Sequence, residues 1–254
     1  MKILIFGYAR SRTSLLQDVL SKHYNLQDLW EPYNNSSIAT IKWKIDRMYE
    51  IQKSNTLKIT EELMTKDNFV TKLFIPFTFN IYKLMHVPNP NWTKDDFLDL
   101  SKYFHINSYD KIYCLHRENY TDFICSFLTQ HDMAYPIFVE NNKRDQKVLE
   151  ILRKQKPYFQ YSQERAYMDV FEKVVYKATV KKLIDSNLPI EIVEYNDVPT
   201  FISQNFPGVG TKYIATGLDY KSQVRNYNEI EEKIKIAEAE LLPKVDEIYQ
   251  LLSK

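Results

Sequence analysis

Three stretches of this chain carry residue types that can do chemistry at close spacing. The first is Gly7-Tyr8-Ala9-Arg10-Ser11-Arg12-Thr13-Ser14, which sets two guanidiniums and the three aliphatic hydroxyls of Ser11, Thr13 and Ser14 in one short span. It follows the apolar run Ile3 to Phe6 and precedes Leu15, Leu16, Val19 and Leu20, which recur at helical spacing. Strand, small loop and helix start is a geometry that binds anions: backbone N–H groups converge there and the helix dipole favours negative charge. Thr13 and Ser14 are also types that cap helices. The second stretch is Lys111 to Gln130, KIYCLHRENYTDFICSFLTQ. Arg117 follows the apolar run Ile112 to Leu115. Tyr120, Phe123, Ile124, Phe127 and Leu128 then form one apolar helix face, with Asp122 and Ser126 four apart on the opposite side. Arg117 offers bidentate donors and Ser126 a hydroxyl, a pair suited to a phosphate; the plainer alternative is Arg117 paired with Glu118 or Asp122 on an exposed turn. The third is Glu31-Pro32, a carboxylate able to act as a general base. Pro32 pushes Glu31 towards extended backbone, and Asp28 is the neighbouring carboxylate that competes for the role.

These groups need elements to hold them. Ile3–Phe6, Phe69–Phe74, Ile112–Leu115 and Ile190–Tyr195 are short apolar runs, as in parallel strands covered on both faces. Helical spacing follows the first strand, recurs within residues 38–68 and 141–187, and ends the chain over 228–254 with an interruption near Pro243. Residues 76–95, with three prolines, read as loop. Asn196-Asp197-Val198-Pro199 can cap a helix after the late strand. The expected architecture is one α/β domain over residues 1–254: three layers, a mainly parallel central sheet, and helices on both faces. In a βαβ unit the segment after the first helix returns to the sheet, which would bring Glu31 to the carboxyl ends of the strands, where ligands bind. Lys72, in the middle of FVTKLF, reads as a solvent-facing residue of an edge strand.

Composition narrows the partners. With 34 basic and 33 acidic residues the formal net charge is +1, so no global field points to nucleic acid or a membrane. The two cysteines, Cys114 and Cys125, make no disulfide framework and read as small core residues. No basic leader followed by an apolar run is visible, and no stretch approaches the ~20 apolar residues that span a bilayer. The expectation is a cytoplasmic, reducing setting, with no metal site, since no His/Cys/Asp/Glu cluster has ligand spacing.

The first stretch lacks the Gly-Lys of GxxxxGK[ST], the nucleoside triphosphate loop. It resembles instead the 5′-phosphosulfate loop of sulfotransferases, often Pro-Arg-Ser-Gly-Thr-Thr, through Arg10, Ser11, Thr13 and Ser14; Ala9 stands for the Pro and Arg12 for the Gly. Strand, Arg117, then Ser126 on the following helix resembles that family's 3′-phosphate motif, and Val193–Val198 is similar to its late Tyr-Glu-Asp-Leu segment. The resemblance implies a P-loop-like fold and transfer of a sulfuryl group from 3′-phosphoadenosine-5′-phosphosulfate (PAPS), leaving 3′-phosphoadenosine-5′-phosphate (PAP). The acceptor would be a hydroxyl or amine of a small molecule, carbohydrate or peptide. It implies donor contacts from Ala9, Arg10, Ser11, Arg12, Thr13, Ser14, Arg117 and Ser126, with Arg10 neutralising charge and Glu31 taking the acceptor proton. In the same family a strand Lys near Lys72 can face the sulfonate. The glycine-bearing stretch Phe206 to Arg225 reads as a plain surface loop, the alternative being a loop that folds over the nucleotide through Lys212, Lys221 or Arg225. The alternatives are a small-metabolite kinase using ATP and magnesium, and a nucleotide-binding module without turnover.

Overall fold

The computed structural model describes residues 1–8, 11–35, 45–86, 91–132, 154, 156–211 and 219–253. Ala9, Arg10 and Lys212 lie outside the described residues. Among those described, β1 (Lys2–Gly7), β2 (Gln27–Asp28), β3 (Phe69–Phe74), β4 (Lys111–His116) and β5 (Ile190–Glu194) form one sheet in the order β2-β3-β1-β4-β5. Every pair is parallel. The helices are α1 (Thr13–His23), α2 (Ile45–Met64), α3 (Leu100–Phe104), α4 (Tyr120–Asp132), α5 (Gln163–Asp185), α6 (Val198–Asn205), α7 (Tyr220–Gln223), α8 (Tyr227–Leu241) and α9 (Val245–Ser253).

Alternation along β1 divides the interior in two. Ile3 and Ile5 pack with Leu16, Val19 and Leu20 of α1 and with Val198 and Ile202 of α6. Leu4 and Phe6 face the larger core, built on Val170, Val174 and Ala178 of α5 and Ile230 and Ile234 of α8. Both faces of the sheet are therefore covered, which is why its central strands read as nearly unbroken apolar runs. The expected three-layer α/β architecture is the observed one. The C-terminal helical pattern is also present, as α8 and α9 joined by a 3-10 turn, Leu242–Lys244, that holds Pro243.

Two features of the sheet place a site. From β1 the chain crosses by α1 to β2 on one side, whereas from β4 it leads to β5 on the other. The strand order thus reverses between β1 and β4, and the crevice outside the carboxyl ends of such strands is where open α/β sheets bind ligands. Gly7 closes β1 there, opposite Leu115, and a Cβ on it would meet Leu115 O at 2.8 Å, so a glycine lets the two strands end side by side.

Lys72 corrects an expectation. Its strand is not an edge, because β3 pairs with Gln27–Asp28 of β2 on its outer side, at Phe69–Val70, and with β1 along its inner side. Lys72 is 1% exposed. A two-residue strand leaves no periodicity in a sequence, so the cover it gives β3 goes unread. Ser126 departs too: Asp122 accepts a hydrogen bond from Tyr227 OH of α8, while Ser126, on what reads as the polar side of α4, is buried. The packing of α8 on α4 accounts for this. Cys114 and Cys125 are free and buried, as expected, and burial pushes both thiols up to about 12.

Candidate functional site

The loop after β1 enters α1 through Arg12, whose backbone is left-handed at φ 59° and ψ 20°. Glycine is the residue that adopts this conformation without strain. An arginine there costs about 1–2 kcal/mol. Arg12 makes no side-chain cap, so neither Thr13 nor Ser14 caps the helix as expected; both are its first residues. Thr13 is buried and Ser14 half-buried. Ser11 is wholly buried, and its Oγ has no hydrogen-bond partner. A buried hydroxyl left unsatisfied beside a helix N-terminus fits an anion-holding loop.

Ser14 Oγ accepts a hydrogen bond from Lys72 Nζ at 2.9 Å, and the same ammonium pairs with Glu31 Oε1 at 2.9 Å. Trp30 lies beneath it, its ring centroid 3.9 Å from Nζ. Burial lowers the Lys72 pKa, and the Glu31 carboxylate and, more weakly, Asp28 oppose that shift. Glu31 is placed by α1. Gln17 Nε2 donates to Asp28 Oδ1 at 2.7 Å and to Trp30 O at 3.2 Å, and Trp30 N–H donates to Asp28 Oδ1 at 2.9 Å. Trp30 takes a positive φ of 52° in this turn. Asp28, the competing carboxylate, is thus the brace of the turn, and Glu31 is the one delivered to Lys72. Its side chain remains 19% exposed, open to a small molecule from solvent.

On the other side of β1, Arg117 follows β4 and is 4% exposed, as is Ser126 on α4. The charge of Arg117 reaches Cys125, the neighbour of Ser126, and works against the rise of its thiol pKa. Arg117 Cζ lies 4.1 Å from the ring centroid of Tyr195, just past β5, and Arg12 Cζ lies 4.1 Å from the same centroid. Arg12 Nη1 also donates to Tyr195 O at 2.8 Å. His116, at the end of β4, stacks on Tyr176 of α5, and burial holds its pKa below the usual imidazole value while Glu194 opposes the shift.

The fold therefore gathers Ser14, Lys72 and Glu31 into one contact chain, and Arg12 and Arg117 onto one ring. Lys221 and Arg225 are exposed, and Arg225 N–H is bonded to Pro157 O. Gln17, Trp30 and Tyr195 are the site residues that pattern reading misses, and it puts Lys72 in solvent, where only the family resemblance pointed it inward; the other sequence signals were Trp30 beside Glu31-Pro32 and Tyr195 within the late-strand segment. Among the described residues no group of three or more His, Cys, Asp or Glu side chains could hold a metal ion. No helix among them is long and apolar enough to cross a membrane. No protein-family model matches the chain, and no curated protein matches it. Chemically, the arrangement offers three cations and a helix N-terminus for an anion, with one reachable carboxylate to accept a proton.

Proposed function

We propose that this chain is a P-loop-like sulfotransferase that moves a sulfuryl group from PAPS to a hydroxyl or amine of a small-molecule, carbohydrate or peptide acceptor. The observation that carries the reading is the Lys72 ammonium, which touches Ser14 of the anion loop and the Glu31 carboxylate, both at 2.9 Å. One cation links the group suited to the 5′ end of the donor with the group suited to deprotonating the acceptor. In the transfer, the acceptor oxygen or nitrogen forms a bond to sulfur. The bond from sulfur to the 5′-phosphate oxygen breaks, its electron pair stays on that oxygen, and the acceptor proton passes to Glu31. Lys72 and the N–H groups at the start of α1 offset the charge that grows on the leaving oxygen. Arg117 and Ser126 select the 3′-phosphate. Arg10, with Ala9, enters this reading by sequence position alone. A sulfuryl group carries less charge than a phosphoryl group, so the reading calls for no metal. Free thiols suit a cytoplasmic setting.

The test is a thermal-unfolding panel of PAP, AMP, ADP and ATP, each with and without magnesium. PAP should raise the melting temperature without magnesium and by more than AMP does, because a ligand that binds the native state stabilises it. A panel led by ATP with magnesium would replace this reading with the kinase.

A further inference from the structure

Arg12 sits in the anion loop, yet its side chain leaves that loop. The backbone follows β1, whereas the guanidinium rests at the end of β5, with β4 between them. At about 4.8 Å per strand, β1 and β5 lie roughly 10 Å apart, a distance that the loop after β1 and the Arg12 side chain span together. The side chain is fixed at the far end twice, by the bond from Nη1 to Tyr195 O at 2.8 Å and by the Tyr195 ring at 4.1 Å. Arg117 uses the same ring at the same distance, so the two guanidinium carbons lie within about 8 Å of each other.

We propose that Arg12 belongs to the second anion site and not to the loop it grows from: together with Arg117 it grips the 3′-phosphate of the donor, and Tyr195 is the positioning residue that holds both guanidiniums for it. This rests on the sulfotransferase reading. Two guanidiniums brought to one ring repel, and the negative face of an aromatic ring offsets that only in part. A doubly charged phosphate within reach of both adds charge-assisted contacts to each. With charge-assisted contacts of about 2.8 Å, a phosphate flanked by two bidentate arginines holds their central carbons roughly 8 Å apart or less. The shared ring allows a separation no larger than that limit. A guanidinium has five N–H donors, so the bond to Tyr195 O leaves Arg12 able to form such a fork. The left-handed backbone of Arg12 is the strain that this position tolerates for its side chain.

The proposal separates the two ends of the donor. Arg12→Gly supplies the residue that prefers the left-handed backbone, so the fold and the loop should persist. PAP affinity should fall roughly 10–100-fold, the size of one lost charged hydrogen-bond partner. AMP, which has only the 5′-phosphate, should bind within about two-fold of the wild type. Tyr195→Leu should reproduce the selective loss, and Tyr195→Phe, which keeps both ring and carbonyl, should not. Calorimetric titration of the four proteins with both nucleotides reads all of this, and Arg12→Asn, also tolerant of the left-handed region, serves if Arg12→Gly does not fold. Equal losses for PAP and AMP, or no loss for PAP, would overturn the assignment of Arg12 while leaving the sulfotransferase reading standing. A wild-type protein without preference for PAP over AMP would overturn both.

Discussion

At the scale of single residues, the Lys72–Glu31 pair decides how the base must be tested. The pair is buried on one side only, since Lys72 is covered and Glu31 is 19% exposed. On the sulfotransferase reading, Glu31→Gln removes the proton acceptor and should lower turnover by about 10²–10⁴-fold. It also leaves a buried ammonium without its counter-charge, so the melting temperature should fall with it; the partial exposure of Glu31 keeps the cost to about 1–3 kcal/mol. The pH dependence follows from the sign of the Lys72 shift. Burial lowers its pKa in the fold, so the native state sheds that proton before the unfolded chain does, and stability from this group rises as pH climbs towards the ordinary lysine value. The deficit of Glu31→Gln should therefore shrink in alkaline buffer. Replacing both partners, as Glu31→Gln with Lys72→Met, should recover the melting temperature but not turnover, because neutral groups of similar shape carry no desolvation penalty. If the double variant regains activity, Glu31 is not the base.

At the scale of elements, the site depends on two parallel strands ending side by side. Gly7 and Leu115 are register partners, and a Cβ on Gly7 would press on backbone, which cannot swing away as a side chain does. Gly7→Ala should therefore part β1 from β4, lowering stability by about 1–3 kcal/mol and weakening PAP through the displaced loop. Chemical denaturation measures the first effect, and an unchanged midpoint would mean that the strands accommodate the methyl freely. The sheet was legible because its strands are buried on both faces and so stand out as apolar runs. The passage from strand to helix after β1, and again from β4 past Arg117 to Ser126, was legible because it is local in sequence. Lys72 and Tyr195 were not, for a shared reason. Each owes its role to a contact made across strands: Lys72 to a turn braced by Gln17 and Asp28, Tyr195 to two arginines from different crossovers. Spacing records which face a residue takes, and a lysine in a strand is ordinarily outside; this one is covered by Ser14 of α1 and by Trp30 and Glu31 of the turn after β2. The exchange of glycine for arginine at position 12 marks the loop as unusual in the sequence, but the path of that side chain does not appear until β5 is in place.

At the scale of the whole molecule, a chain of net charge +1 concentrates cations at one crevice and, on the other side of its sheet, buries acids along α5. Arg165 pairs with Asp169 at 3.0 Å, Tyr161 OH donates to Asp169 Oδ2 at 3.0 Å, and Lys173 pairs with Glu238 at 2.5 Å. Burial holds the Asp169 carboxyl above the usual range. Glu172 keeps part of its surface in water, yet its carboxyl lies deep among protein atoms, and this desolvation with Asp169 beside it pushes it up to about 8, against the pull of Arg165. The consequence runs in one direction. In the unfolded chain a glutamate ionises from about pH 4.3, whereas in the fold Glu172 keeps its proton to about pH 8. Between those values the unfolded state binds fewer protons than the native one, so this group makes stability fall as pH rises. Glu172→Gln has no proton to hold, so it should melt close to the wild type at pH 4–5 and above it at pH 8, the gap opening across that window. Because water screens the exposed part of Glu172, the gap should be a few degrees and no more. Thermal scans of both proteins over that range settle it: a gap of the same size at both ends would mean that Glu172 ionises normally in the fold and that the acid side of α5 is ordinary surface.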